Sequence, residues 1–482
     1  MKVNLILPRM EDDIDVLAAS SLVSEIFSRI LGWGRTGHTP PLSLLMLAAV
    51  TPPDIEIKII DDRLEGINFE EPVDLVGISV VTRSAQRAYQ VASEYRKRGV
   101  KVVLGGIHPT ALPEEASQYA DSVVLGEGEH VWPALLNDFI RGQLKPKYRG
   151  RPEMNLDSLP FARRELIRRP DLYATTKVLS ATRGCPNTCT FCAAGTGLVK
   201  TYRKRSVKNV IQELETVAGN VALFMDDNIA WEPEYAKDLF RAMIPLKLKW
   251  HGGLSVNALE DEELVKLAAE SGCFMLGIGF ESISPKVISS IRKEKTNHPG
   301  RYAELIKRAQ QAGMVVFGGF IVGFDEDDLL VFDQLIDFIN ASRLDIASVY
   351  LLTPYPGSPL YRKYERENRI LHKEWRYYEA VEGTCVYIPK QMSPVELMNN
   401  YVEVVERLFP YPSILKRAIQ SKAFPCFGTL ASLHLNFENH HAIKELKKQV
   451  RGYKDFLTTQ GLLAIEGDAD TGTTLLQVAS DK

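Results

Sequence analysis

Cysteine is scarce in this chain, with six in 482 residues. So few thiols in so long a chain do not make a disulfide scaffold, which needs dense pairing in a small domain. A run of about 18 apolar residues is also missing, so no segment is expected to cross a bilayer. Peripheral contact with a membrane stays open. Positive charge is not in excess: 58 Lys and Arg stand against 61 Asp and Glu, for a formal net charge of −3. A nucleic-acid partner usually shows as a basic surplus, and none is expected. The start, MKVNLILPRMEDDIDV, lacks the layout of a secretory signal. The expectation is therefore a reducing, cytoplasmic compartment, where clustered cysteines serve metal binding or catalysis. Repeats and low-complexity blocks are absent. What remains is an ordinary globular composition, 45% hydrophobic and 25% charged, long enough for two or three domains.

Residues 1–145 alternate short apolar runs with amphipathic stretches. KVNLILP, IEIKIID, DLVGISVV, VKVVLGG and SVVLGEG are rich in β-branched residues, as buried parallel strands are. Helical patterns such as SAQRAYQVASEYRKRG lie between them. This alternation predicts an α/β, doubly wound (Rossmann-like) domain with its ligand at the carboxyl ends of the strands. Those ends carry Ser79 and Thr82, then Gly105, Gly106 and His108 in GGIHPT, then Gly126 and Glu127 in GEGEH. Residues 146–175 carry prolines and many charges without a period and read as a linker. From 176 to 390 a second series begins, with KVLSATRG, VALFMDD, WHGGLSV, MLGIGFES, VVFGGFIVG and IASVYLLTPY as strands. Six β–α units predict a partial (β/α)6 TIM-like barrel, with its chemistry at the strands' carboxyl ends. Residues 391–482 read as a mainly helical domain. MSPVELMNNYVEVVERLF opens on a serine cap signal, and GDADTGTTLLQVASDK is expected to be a loose tail.

Half of the cysteines fall within eight positions: Cys185, Cys189 and Cys192, in ATRGCPNTCTFCAAG. Structural zinc wants four ligands, and ordinary ferredoxin runs also supply four cysteines. Three thiolates on a tight loop after a strand suit a cubane iron–sulfur cluster with one iron left open. Three unrelated thiols, or zinc completed by a distant ligand, are the alternatives.

CPNTCTFC resembles the C-x3-C-x-aromatic-C motif of the radical S-adenosylmethionine (SAM) enzymes. The resemblance implies a [4Fe–4S] cluster on Cys185, Cys189 and Cys192, with Phe191 as the aromatic member. SAM would chelate the open iron. One electron from the reduced cluster would break its sulfonium bond, and a 5′-deoxyadenosyl radical would abstract hydrogen from substrate. The resemblance extends along the series. MDDNI places Asp226, Asp227 and Asn228 where the SAM amine binds, an environment that wants acceptors. Glu281 in GIGFES is placed to accept from the ribose, or else pairs with one of the nearby lysines. GGFIVGFDED, with Ile321 and Gly323, is similar to the adenine-contacting fifth strand, and TPYPGSPLY to the end of the sixth. Ser255 is in place after the third strand. Asn257 stands near where many relatives carry an arginine, so the partner of the SAM carboxylate is not assigned.

The first 150 residues resemble the cobalamin-binding domain fused to a class of these enzymes. Glycines in GGIHP and GEGE would let a corrinoid approach the backbone. The frame D-x-H-x-x-G, which supplies a histidine to cobalt, is missing around His108, so no histidine on cobalt is expected. The implied function is a cobalamin-dependent radical SAM methyltransferase acting on an unactivated carbon. The stretch YVEVVERLFPYPSILKRAIQ resembles the tail of hopanoid C-2 methylase-like members, which points to an apolar, lipid-like substrate. Oxidative cyclisation or carbon–carbon coupling would use the same cofactors. A non-catalytic iron–sulfur protein would need a fourth ligand, for which Cys273, Cys385 and Cys426 are the candidates. A flavodoxin or ferredoxin is implied as electron donor. Tyr355 and Tyr361 lie near the expected barrel mouth, but the sequence assigns no catalytic acid or base.

Overall fold

The structure, a computed structural model, describes residues 1–10, 38–193, 201–467 and 474–477. The β-branched runs of the first series form parallel strands β1 (Lys2–Leu7), β2 (Glu56–Asp61), β3 (Leu75–Ser79), β4 (Lys101–Gly105) and β5 (Ser122–Leu125). A sixth strand, β6 (Lys147–Arg149), pairs parallel with β5 and lies inside the stretch read as linker. The sheet order is β2-β1-β3-β4-β5-β6, a doubly wound arrangement whose switch point falls beside β1. Both faces are covered. Val3, Leu5, Leu75 and Val103 pack with Trp132 on one side, while Ile6, Val76, Ile78 and Leu104 pack with Tyr95 on the other.

The second series forms β7 (Val178–Leu179), then a two-stranded antiparallel pair, β8 (Thr182–Arg183) with β9 (Arg203–Lys204). Next come β10 (Val221–Phe224), β11 (Lys249–Leu254), β12 (Cys273–Glu281), β13 (Val315–Val322) and β14 (Ile346–Leu351). The open six-stranded sheet runs β14-β13-β12-β11-β10-β7, parallel throughout. Every expected strand of both series is present. Alternate side chains of the barrel strands face the outer helices: Phe240 packs on Trp250, Tyr302 on Phe280 and Phe338 on Phe320. The other face therefore points inward.

After the barrel, the expected serine cap is in place. Ser393 Oγ accepts from Glu396 N (3.1 Å), the Glu396 carboxylate accepts from Ser393 N (2.7 Å), and the helix Pro394–Leu408 follows. This is a capping box. Helices Tyr411–Gln420 and Phe427–Thr459 complete the domain. Ala423 and Ala431 pack on Phe274, Val315 and Ile346 at the amino ends of the strands, closing the barrel floor. Gly428 lets this approach happen, since a Cβ there would stand 2.4 Å from the Phe274 carbonyl oxygen. The tail is not wholly loose: β15 (Ala464–Gly467) pairs antiparallel with β16 (Thr474–Gln477).

Candidate functional site

The cysteine loop leaves the barrel after β7, and the β8–β9 pair closes its base. Asp226 secures that base. Its carboxylate accepts from Ala181 N (3.1 Å), Thr182 N (2.5 Å) and Thr182 Oγ1 (2.6 Å). Burial pushes this carboxyl up to about 7. Three of its hydrogen bonds are thus spent on residues 181 and 182, and Asp226 positions the loop base. Further along, Thr190 N donates to Ile291 O (3.3 Å) and Leu360 N donates to Thr190 O (2.8 Å), so two barrel helices hold the loop. Phe191 packs edge-on to Phe324, with ring centroids 6.2 Å apart.

Cys189 is 6% exposed, and burial pushes its thiol up to about 12. Such a thiol ionises when a metal takes the proton's place. Cys185 and Cys192 stand close enough for their charges to be felt at Cys189. Among the described residues, no three His, Cys, Asp or Glu side chains converge tightly enough to hold a single metal ion. A cubane spreads its thiolates over separate irons, and Cys185, Cys189 and Cys192 lie within eight positions of one loop. Cys273 and Cys385 are buried and donate to Met275 O (3.4 Å) and Tyr387 O (3.1 Å). Cys426 sits beside Thr429 on the barrel floor. The fourth-ligand candidates are therefore engaged elsewhere.

The inward face of the barrel is hollowed by glycine: Gly253 on β11, Gly277 and Gly279 on β12, and Gly319 on β13. Above them stand Ser255, Glu281 and Ile321. Asn228 Nδ2 donates to Ser255 Oγ (3.1 Å), joining the ends of the second and third barrel strands. Glu281 has a φ of 63° and sits at a register shift between β12 and β13, a local kink that re-aims its side chain. Its carboxylate accepts from Lys293 Nζ (2.6 Å). Lys293 was not singled out in the sequence. Its side chain is only 11% exposed, and its charge reaches Cys189. Asn257 is exposed, whereas Lys293, from beyond the fourth strand, is a cation whose charge reaches Cys189. Gly323 is packed from the far side, where a Cβ would stand 2.5 Å from the Tyr387 hydroxyl, which donates to its carbonyl.

Asp327 sets the turn after β13. It is 3% exposed and accepts from Gly323 N and Phe324 N, both at 3.0 Å. Burial pushes its carboxyl up to about 7. A carboxyl raised in the fold contributes stability that is complete below the unfolded carboxylate range and is lost as pH rises through about 7. Thermal melts of the apo-protein should therefore show a midpoint that falls from pH 5 to pH 8. Asp327→Asn, which cannot ionise, should flatten part of that fall. An unchanged slope would show that Asp327 does not carry it.

Between the two sheets lies a cavity of about 370 Å³, within the range of small-molecule sites. Ser79, Gly105, Gly106, Gly126 and Glu127 line it from the first domain, with Leu47 and Trp132. Arg183, Gly184, Met225 and Asp227 line it from the barrel. Gly106 has a φ of 109°, and a Cβ there would stand 2.7 Å from Val80 O, so glycine is required. Glu127 also clamps the domains, pairing with Arg203 (2.6 Å), while Glu129 pairs with Arg183 (2.8 Å).

Thr82 and His108, placed by the sequence at the ligand edge of the first domain, are buried and are not among the residues that line the cavity. His108 Nε2 lies 3.1 Å from the Tyr89 hydroxyl and 3.4 Å from Glu115 Oε1. Trp375 donates to the same Glu115 oxygen (2.8 Å). The turn after Gly106 carries the histidine away from the cavity and into a contact with the segment after the barrel.

The chain matches the family model of the Radical SAM superfamily over residues 179–339 and that of the B12 binding domain over residues 29–136. It is 30% identical over 388 residues to bacteriochlorophyllide d C-12(1)-methyltransferase of Chlorobaculum tepidum, covering 78% of this chain and 84% of the relative. It is 22% identical over 354 residues to hopanoid C-2 methylase of Rhodopseudomonas palustris, covering 70% of this chain and 66% of that one. Among solved structures, the cobalamin-dependent S-adenosylmethionine radical enzyme OxsB superposes with a TM-score of 0.61 at 13% identity, over 95% of this chain and 81% of that one. That likeness is one of fold.

Proposed function

This chain belongs to the cobalamin-dependent radical SAM methyltransferase family, and on that premise we propose that it methylates an unactivated carbon of an apolar substrate. Its cofactors are those of the family: a [4Fe–4S] cluster, SAM and cobalamin. Together they supply radical C–H cleavage and a methyl donor. In this reading Cys185, Cys189 and Cys192 hold the cluster. Asn228, held by Ser255, offers an acceptor to the SAM amine. Lys293 offers the carboxylate a cation, and Glu281 keeps that cation charged and in place. Ile321 and Phe191 wall the adenine. Ser79, Gly105, Gly106 and Gly126 form the corrinoid platform, and Leu47, Trp132 and Met225 exclude water from it.

One observation carries the reading. Gly184 lines the cavity between the sheets, and the next residue is the first cluster cysteine. A ligand on the Gly105–Gly106 platform would thus meet the cluster loop directly. Apolar chemistry is supported by the bacteriochlorophyllide and hopanoid named for two relatives. A flavodoxin or ferredoxin is proposed as electron donor.

The test is anaerobic turnover with methyl-labelled SAM and extracts fractionated by polarity. The expected result is 5′-deoxyadenosine and S-adenosylhomocysteine formed together, with label in the apolar fraction. Label in a water-soluble product would overturn the apolar assignment. 5′-Deoxyadenosine and a substrate-dependent product without S-adenosylhomocysteine would replace methylation by cyclisation or coupling.

A further inference from the structure

The helix Tyr411–Gln420 shows an apolar face to solvent on the barrel floor. It buries Ile414, Arg417 and Ala418. It leaves Tyr411 44%, Leu415 45% and Ile419 64% exposed. These residues are four apart and share one stripe. Phe424, just beyond the helix, is also 49% exposed. Single exposed apolar residues need no explanation, but a contiguous patch does.

The segment that carries the stripe is itself short of acid, with exposed Glu438 just past Phe437, whose ring meets Tyr411 at 5.6 Å. Residues 407–437 contain no Asp or Glu, in a chain that carries 61 of them. The segment holds Arg407, Lys416, Arg417 and Lys422. Arg407 pairs with Asp333 (2.5 Å), and Arg417 is buried, donating to Leu408 O (2.7 Å). Lys416 and Lys422 are exposed beside the stripe.

We propose that this face docks the enzyme peripherally on an anionic lipid bilayer. A helix with an apolar stripe and basic flanks lies in the plane of the interface, with the stripe sunk to the acyl boundary. Each lysine near an anionic surface is worth roughly a fivefold gain in binding. A second copy of the chain is the poorer occupant. A two-fold interface sets the same patch against itself, bringing the lysines face to face with no acid in the segment to offset them. The helix leads into the segment whose Ala423 and Ala431 pack on the amino ends of the barrel strands. It involves no residue assigned to the cluster, SAM or cobalamin, and the proposal stands apart from the substrate reading.

The experiment is co-sedimentation of the full chain with phosphatidylcholine vesicles and with phosphatidylcholine–phosphatidylglycerol vesicles, at low and high salt. Binding is expected only to the anionic vesicles, weakening with salt. Lys416→Glu with Lys422→Glu should weaken it at least about twentyfold. Leu415→Asp with Ile419→Asp should abolish it. Unchanged melting and cluster content would show that these variants fold. Failure of the wild-type chain to bind, or equal binding by folded variants, overturns the proposal. Concentration-dependent dimerisation lost in Leu415→Asp, without vesicle binding, would replace the bilayer by a second copy.

Discussion

Cys189→Ala is expected to leave the reconstituted protein without its cluster and to reduce 5′-deoxyadenosine formation to that of an enzyme-free control. Cys185→Ala and Cys192→Ala should do the same. A cubane held by three thiolates has no spare protein ligand, and the other three cysteines lie elsewhere. Cys273 and Cys385 are in the core, bonded to nearby carbonyls, and Cys426 caps a helix on the barrel floor. None is placed to substitute. The fold should survive, because the loop base rests on Asp226 and the β8–β9 pair rather than on the thiols. Iron and sulfide content, the visible absorbance and a thermal melt together check this. Cys385→Ala is the control and should keep a full cluster. A full cluster in any of the three loop variants would remove that residue from the ligand set.

Gly105→Leu should eliminate corrinoid binding while leaving the cluster and SAM cleavage in place. Gly105 ends β4 and lines the cavity, and a Cβ there would meet Val124 Cβ at 3.6 Å. That is ordinary contact, so the strand tolerates a β-carbon and the rest of the leucine occupies the cavity. Gly106→Ala is the wrong probe. Its Cβ would strike the Val80 backbone at a positive φ, at a cost of about 1–3 kcal/mol to the fold. Corrinoid retained after gel filtration, read from its visible spectrum, measures the effect. Stoichiometric corrinoid in Gly105→Leu would place the cobalamin site elsewhere. Loss of corrinoid with normal 5′-deoxyadenosine formation would separate the two sites functionally.

The motif-bearing side chains were legible to very different degrees. Cys185, Cys189 and Cys192 are close in sequence and so must be close in space. That Ser79, Gly105, Gly106 and Gly126 share one cavity edge was legible because strand ends share one edge of a parallel sheet. Glu127 was read as a cofactor contact, yet it also holds Arg203, 76 positions away. No local pattern announces such a pair. The placement of Asp226 within MDDNI was legible, but the direction of its carboxylate was not. Thr182, 44 positions earlier, decides that. The missing cobalt frame around His108 was legible, but its partners Tyr89 and Glu115 were not: Gly106 takes a left-handed turn, and the next residues leave the cavity edge. Lys293 is the counterpart, an ordinary residue in a charged run that folding carries to the cluster loop.

By itself the sequence determined the two β–α series, the three-thiol loop after the first barrel strand, and the shortage of positive charge. Each follows from local chemistry: β-branched runs favour strands, and a tight loop gathers its own thiols. Only the tertiary structure decided which polar groups face the cavity and which bind backbone. It also decided that Lys293 joins Glu281, that Glu127 clamps the domains, and that the helix Tyr411–Gln420 turns apolar residues to solvent. Those outcomes depend on partners tens of residues apart, brought together by packing whose energy is spread over the whole core.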